Sequence, residues 1–154
     1  MAIRHTYPWN LALALVAGLM LAWAGRSAGA EKQPRIVSLS PHITELLSAA
    51  GAGGSVVGVD DQSDYPPAVA GITRVGEPAA LDVEALLKLK PTLVVLWDSG
   101  TPASRKAELE RLNLKLYVTE QRRLDDIGAT LLEFGRLAGT EPTAAAAAAR
   151  DAES

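Results

Sequence analysis

The chain has 154 residues, 48% of them hydrophobic, with no cysteine and a formal net charge of −3 at neutral pH. Without cysteine it can hold neither a disulfide nor a cysteine-linked lipid anchor. Its acidic balance gives no basic surface for nucleic acid or anionic lipid, and that balance deepens after residue 30, where 13 of the 15 basic residues and all 18 acidic ones lie, a net charge of −5.

Residues 1–30 read as a signal peptide. Arg4 and His5 precede an apolar run from Leu11 to Ala24, and Ala28-Gly29-Ala30 follows. Ala28 and Ala30 place small side chains three and one positions before a cut after Ala30. The run is about 14 residues, short of the roughly 20 that span a bilayer, so cleavage is expected over a retained anchor. What remains is one domain's worth of chain, exported most simply to a bacterial periplasm.

Beyond the signal, short apolar runs alternate with helical patterns. Arg35 to Leu39 predicts a buried strand. Ser40 is placed as an N-cap with Pro41 at the first helical position, and Ile43, Leu46, Leu47 and Ala50 recur at helical spacing up to Gly51. Val56–Val59 predicts a second strand and Asp60 to Pro67 a polar loop. Asp82 is placed as the cap of a helix carrying Val83, Leu86, Leu87 and Leu89, ended by Pro91. Leu93 to Leu96 is uniformly apolar, as a strand covered on both faces should be. Thr101-Pro102 opens a helix through Leu109 and Leu112, Lys115 to Val118 predicts a fourth strand, and Asp125 or Asp126 begins a helix closed by Gly139. This order, βαβαβαβα with short connections, predicts an α/β fold: a parallel sheet with helices on both faces.

Thr140-Glu141-Pro142 starts one more helix, with six consecutive alanines, Ala144 to Ala149, and no stop signal before Ser154. Two readings stand: a helix packed on the lobe, or one leading into further protein. The missing stop signal favours the second.

In an open parallel sheet, ligands bind beyond the carboxyl ends of the strands. The first strand is followed by Ser38, Ser40, Pro41 and His42, the second by Asp60 to Pro67, the third by Trp97, Asp98, Ser99, Gly100 and Thr101, and the fourth by Thr119 to Arg123. Only four aromatic residues follow residue 30, and two of them, Tyr65 and Trp97, fall in these segments. Flat rings with a polar tip suit a large, flat, partly polar ligand, although each ring could equally be packing residue. His42 is the only histidine after residue 30; with no cysteine, that argues against a dedicated zinc site and leaves a single axial ligand to haem as an alternative to a polar helix residue. Gly51-Ala52-Gly53-Gly54 follows a helix and precedes a strand, so it reads as a helix stop, not a phosphate loop. No nucleophile–base pair is visible, so an enzyme is not expected.

Arg35-Ile36-Val37-Ser38-Leu39-Ser40-Pro41 with Thr44-Glu45, then Val57-Gly58-Val59, Ser63-Asp64-Tyr65-Pro66-Pro67, and Leu89-Lys90-Pro91-Thr92-Leu93-Val94 resemble the N-terminal lobe of periplasmic binding proteins for vitamin B12 and iron chelates. The resemblance runs from Pro34 to the final helix. It implies a Rossmann-like N-terminal lobe over residues 34–139 and, over 140–154, the start of an interlobe helix leading to a second lobe that this sequence lacks. It also implies a monomer that binds a cobalamin-type corrinoid and delivers it to an ABC permease/ATPase complex in the inner membrane. Haem or a ferric siderophore is the alternative ligand within the family, and an exported sensory domain is an alternative role. By the same resemblance, Tyr65 and Trp97 fall on cleft aromatics of the corrinoid-binding members, with Pro41, His42 and Ser99 beside them in the ligand-edge segments. Pro78 stands where those members have a further tryptophan, a departure that keeps haem and siderophores open. Glu84 matches a surface glutamate that docks on arginines of the permease, where exposed complementary charge sets orientation and on-rate.

Overall fold

The computed structural model describes residues 33–123 and 125–153. The signal peptide reading, with Ala28 and Ala30, lies outside the described residues. Five strands form one parallel sheet: β1 (Ile36–Ser38), β2 (Val56–Val59), β3 (Thr73–Arg74), β4 (Leu93–Trp97) and β5 (Leu116–Thr119). Five helices accompany them: α1 (Pro41–Ala49), α2 (Val83–Lys88), α3 (Ala103–Arg111), α4 (Asp125–Ala138) and α5 (Glu141–Ala152). Among the described residues no helix is long and apolar enough to cross a membrane.

The period-two alternation of strand side chains splits the core into two layers. Ile36, Leu93 and Val95 pack with Ile43 and Leu47 of α1, Leu131 and Phe134 of α4, and Ala144 and Ala147 of α5. Their neighbours Val37, Val94 and Leu96 pack on the opposite face with Leu86 of α2 and Leu109 of α3. The sheet is therefore covered on both faces, as its uniformly apolar central strand predicts.

The strand order is β3-β2-β1-β4-β5. The chain builds outward from β1 to β2 and β3, then returns to place β4 on the other side of β1 and continues to β5. The carboxyl ends of β1 and β4 thus flank the point where strand order reverses, the place where an open α/β sheet leaves a crevice.

Several local readings are refined. Asp82 caps α2 as expected, its carboxylate accepting from the Ala85 amide at 2.9 Å. Ser40 holds the N-cap position of α1 but makes no side-chain cap; its hydroxyl is taken instead by His42 Nδ1 at 2.7 Å. The two-residue strand β3 is absent from the sequence reading. It is too short to show a period, and its backbone becomes a strand only by pairing with Gly58 and Val59. Helix α5 packs on the lobe, which is compatible with either of its readings. Ala144 and Ala147 are buried, and Thr140 Oγ1 donates to the Ala50 carbonyl at 2.7 Å. Close approach depends on Gly135 of α4, where a Cβ would stand 2.3 Å from the Ala144 Cβ. The alanine tract thus supplies a smooth face that seats against a glycine.

Candidate functional site

Beyond the carboxyl ends of the strands lies a hollow of about 220 Å³. Leu39, Ser40 and Pro41 line it after β1, Asp60 and Gln62 after β2, Glu77 and Pro78 after β3, and Trp97 and Gly100 at the end of β4. The short strand β3 matters here, because it is what carries Glu77 and Pro78 to the edge of the crevice.

Trp97 is half-buried, packed against the core on one side and lining the hollow on the other. Two contacts fix its ring. The His42 imidazole stands edge-on to it, with centroids 5.1 Å apart and planes at 87°, a favourable arrangement for two aromatic quadrupoles. Gly100 forms the support beneath: a Cβ at that position would lie 2.2 Å from Trp97 Cε3. The indole rests where a side chain would otherwise be.

Burial holds the His42 imidazole below its ordinary value, against the opposing pull of the Gln121 side chain and the Glu45, Glu120 and Asp60 carboxylates. The ring is therefore neutral at neutral pH. If Nδ1 accepts from Ser40, Nε2 keeps its proton as a donor. Gln121 donates through Nε2 to Thr119 Oγ1 and Thr130 Oγ1, at 2.6 and 3.2 Å, while its Oε1 is buried without a partner.

Of the predicted ligand residues, Pro41 and Trp97 line this hollow and His42, Tyr65 and Ser99 do not. Ser99 is exposed and engaged, its amide and hydroxyl donating to the Glu120 carboxylate at 3.0 and 2.8 Å. Those two bonds hold the Glu120 carboxyl below the usual carboxylate range and tie the β4 and β5 loops together. Lys106 does the same for Asp98, at 2.5 Å. Tyr65 is 60% exposed and does not line the hollow, so the two predicted rings are not brought into one pocket here. Glu84 stands in the first turn of α2, its side chain 80% exposed and paired only with the exposed Lys88 at 2.7 Å.

The charge of the hollow is one-sided. Asp60, itself 2% exposed, and Glu77 are its charged lining residues, and both are carboxylates. The nearby Arg74 guanidinium is turned away into the Asp60 and Ser63 carbonyls. Arg105 is likewise spent on the Pro78 carbonyl, at 3.0 Å, and on Glu108. Asp60 and Gly100 fall in the ligand-edge segments expected from sequence, while Glu77 does not, because the strand that carries it to the crevice is too short to be read. Within the polar loop from Asp60 to Pro67, nothing local marks which acidic residue is buried.

Residues 36–154 match the family described as periplasmic binding protein. The chain is 34% identical over 102 residues to the vitamin B12-binding protein of Vibrio vulnificus, covering 66% of this chain and 37% of that one. It is 40% identical over 93 residues to the vitamin B12-binding protein of Vibrio cholerae, covering 60% and 34%. The structure superposes on the crystal structure of the periplasmic vitamin B12-binding protein of Vibrio cholerae with a TM-score of 0.73 and 33% identity, over 77% of this chain and 47% of that one. A periplasmic heme-binding protein from Pseudomonas aeruginosa gives 0.70 and 25% identity, over 77% and 43%. The chain thus spans less than half the length of these relatives.

Proposed function

The chain belongs to the periplasmic binding protein family, and on that premise we propose that it is exported by its first thirty residues and binds a flat, cofactor-sized solute, a cobalamin-type corrinoid, for an ABC permease/ATPase of the inner membrane. No covalent chemistry is involved. Residues 34–139 form a ligand-binding lobe, and 140–154 begin the connection to a second lobe that would close the ligand in from the opposite side.

One observation carries the choice of ligand. The half-buried Trp97 faces a hollow whose charged lining residues are two carboxylates: the buried Asp60, whose oxygens already accept from Ser63 Oγ and the Gln62 amide, and the exposed Glu77, which accepts from Gln62 Nε2 at 2.9 Å through Oε1 and can take further donors. A corrinoid presents side-chain amides that donate. Haem propionates would meet like charge there, with the neighbouring Arg74 and Arg105 already occupied. The second reading, haem or a ferric siderophore, rests on the similarity to the Pseudomonas aeruginosa heme-binding protein and on a half-buried His42 beside the hollow. In this reading the exposed Tyr65 offers a stacking surface, with Pro41, His42 and Ser99 around the ligand. Glu84 is the docking carboxylate for the permease, supported by its exposure and its easily broken pairing.

One wall buries one face of the ligand. At roughly 25 cal/mol per Å² of apolar surface this contributes a few kcal/mol, a Kd on the order of 1 mM. Titrating the chain from residue 31 with cyanocobalamin, hemin and a ferric siderophore, while following Trp97 fluorescence, tests both the ligand and the wall. Cyanocobalamin is expected to quench most, and weakly. Tighter binding of hemin would overturn the ligand, and submicromolar binding of any of the three would overturn the one-walled site.

A further inference from the structure

The two motifs that carry the family resemblance, Ser38-Leu39-Ser40-Pro41 with Thr44 and Ser63-Asp64-Tyr65-Pro66-Pro67, meet in space through their hydroxyl groups. Thr44 Oγ1, buried in the first turns of α1, lies 2.8 Å from Ser63 Oγ, 2.8 Å from Ser38 Oγ and 3.1 Å from the Ser40 carbonyl. Ser38 Oγ donates to the Ser40 carbonyl at 3.2 Å, and Ser63 Oγ donates to the Asp60 carboxylate. Arg74 closes the far side by donating to the Asp60 and Ser63 carbonyls. With the Ser38 and Ser63 protons committed to Ser40 and Asp60, the single Thr44 proton serves three acceptors, Ser38 Oγ, the Ser40 carbonyl and Ser63 Oγ, and it makes the Thr44–Ser63 bond when it points to Ser63.

Packing does not hold the loop that this set touches. Asp61, Gln62, Asp64 and Tyr65 are exposed, and Ser63 is the one fully buried side chain between Asp60 and Val69. The loop also divides two hollows. Asp60 and Gln62 line the one in front of Trp97, while Pro66 lines a second, of about 330 Å³, together with Thr44 and Val69. With open space on both sides, the loop's position depends on hydrogen bonds.

We propose that Thr44 and Ser63 are positioning residues, whose mutual hydrogen bond fastens the Tyr65 loop to the helix that carries His42 and so sets the shape of the ligand wall. The proposal rests on the reading above only in giving Tyr65 and the wall a ligand. Thr44→Val removes the hydroxyl and keeps the shape, and Thr44→Ser keeps the hydroxyl. Amide hydrogen exchange resolved by residue provides the test. The Gln62 and Ser63 amides, which bond Asp60 Oδ2 at 3.2 Å and the Asp60 carbonyl at 3.4 Å, report the loop. Amides of β4 report the whole fold.

Losing one buried hydrogen bond should speed loop exchange by about tenfold in Thr44→Val relative to any change in β4. Thr44→Ser should restore the parent rate. Equal acceleration throughout the chain, or loop exchange like the parent's, would overturn the proposal. Should Thr44→Val fail to fold, Ser63→Ala removes the same bond from its other end together with the Ser63–Asp60 bond, and should speed loop exchange at least as much. Exchange needs no ligand, so its failure refutes the positioning role and leaves the ligand reading standing. Failure of cyanocobalamin to bind a chain with ordinary loop exchange does the reverse.

Discussion

Replacing Gly100 by alanine isolates what holds Trp97. The backbone at Gly100 is outside the left-handed region, so alanine is conformationally allowed there, and the effect is one of space alone. The added Cβ would stand 2.2, 2.9 and 3.1 Å from Trp97 Cε3, Cζ3 and Cδ2. Carbon atoms in good contact sit about 3.5–4.0 Å apart, so the indole or the loop must shift by about 1.5 Å. The neighbour is a rigid ring already held by His42, so it cannot yield by swinging a flexible end. Forcing extra volume into a packed site costs about 1–3 kcal/mol, and the edge-on contact with His42 contributes about 0.5–1.5 kcal/mol of what is at stake. Trp97 is the only tryptophan after residue 30, so emission of the chain from residue 31 reports this ring alone. Gly100→Ala should shift that emission to the red and lower the urea midpoint by the equivalent of about 1–3 kcal/mol. Trp97→Leu, which leaves room for the new methyl, should remove most of the added cost. Parent-like emission together with an unchanged midpoint would show that the indole does not rest on Gly100.

Three further outcomes follow from the same geometry. Gly135→Ala would gain about 1 kcal/mol of helix propensity, but its Cβ meets the Ala144 Cβ at 2.3 Å between two helix backbones; a net loss of about 1–3 kcal/mol is expected, reversed by adding Ala144→Gly and read from chemical denaturation. His42 favours its neutral form in the fold, so the unfolded chain takes up the proton first; stability present above the ordinary value of 6.5 should decline as pH falls through it, and His42→Gln should flatten the stability curve just below that value, above the range where the lowered Glu120 and Asp98 carboxyls titrate. Glu84→Lys loses an exposed pair worth about 0.3–0.5 kcal/mol and should leave the melting temperature nearly unchanged. In a protein carrying both lobes it should abolish permease-dependent uptake while leaving ligand binding intact; undiminished uptake would refute the docking role.

Local signals made most of the element list readable. Uniformly apolar four-residue runs became β2 and β4 because burial on both faces tolerates nothing else. The Asp82 cap and the stops at Gly51 and Gly139, with φ of +80° and +71°, lie within one turn of the helices they bound. Trp97, Pro41 and His42 could be placed beyond the carboxyl edge of the sheet because each lies at or within a few residues of a strand end. Other features depend on partners far along the chain. Strand β3 exists through its pairing with β2. Thr44 and Ser63 are 19 residues apart, and Thr140 and Ala50 are 90 apart. The support that Gly100 gives Trp97, the burial of Asp60 and the exposure of Tyr65 likewise depend on how the loops fold over the strand ends. Periodicity and caps act over a turn or two, so they name the elements and their order. Which loops share a crevice depends on strand order, β3-β2-β1-β4-β5, and on contacts that exist only once the sheet has closed.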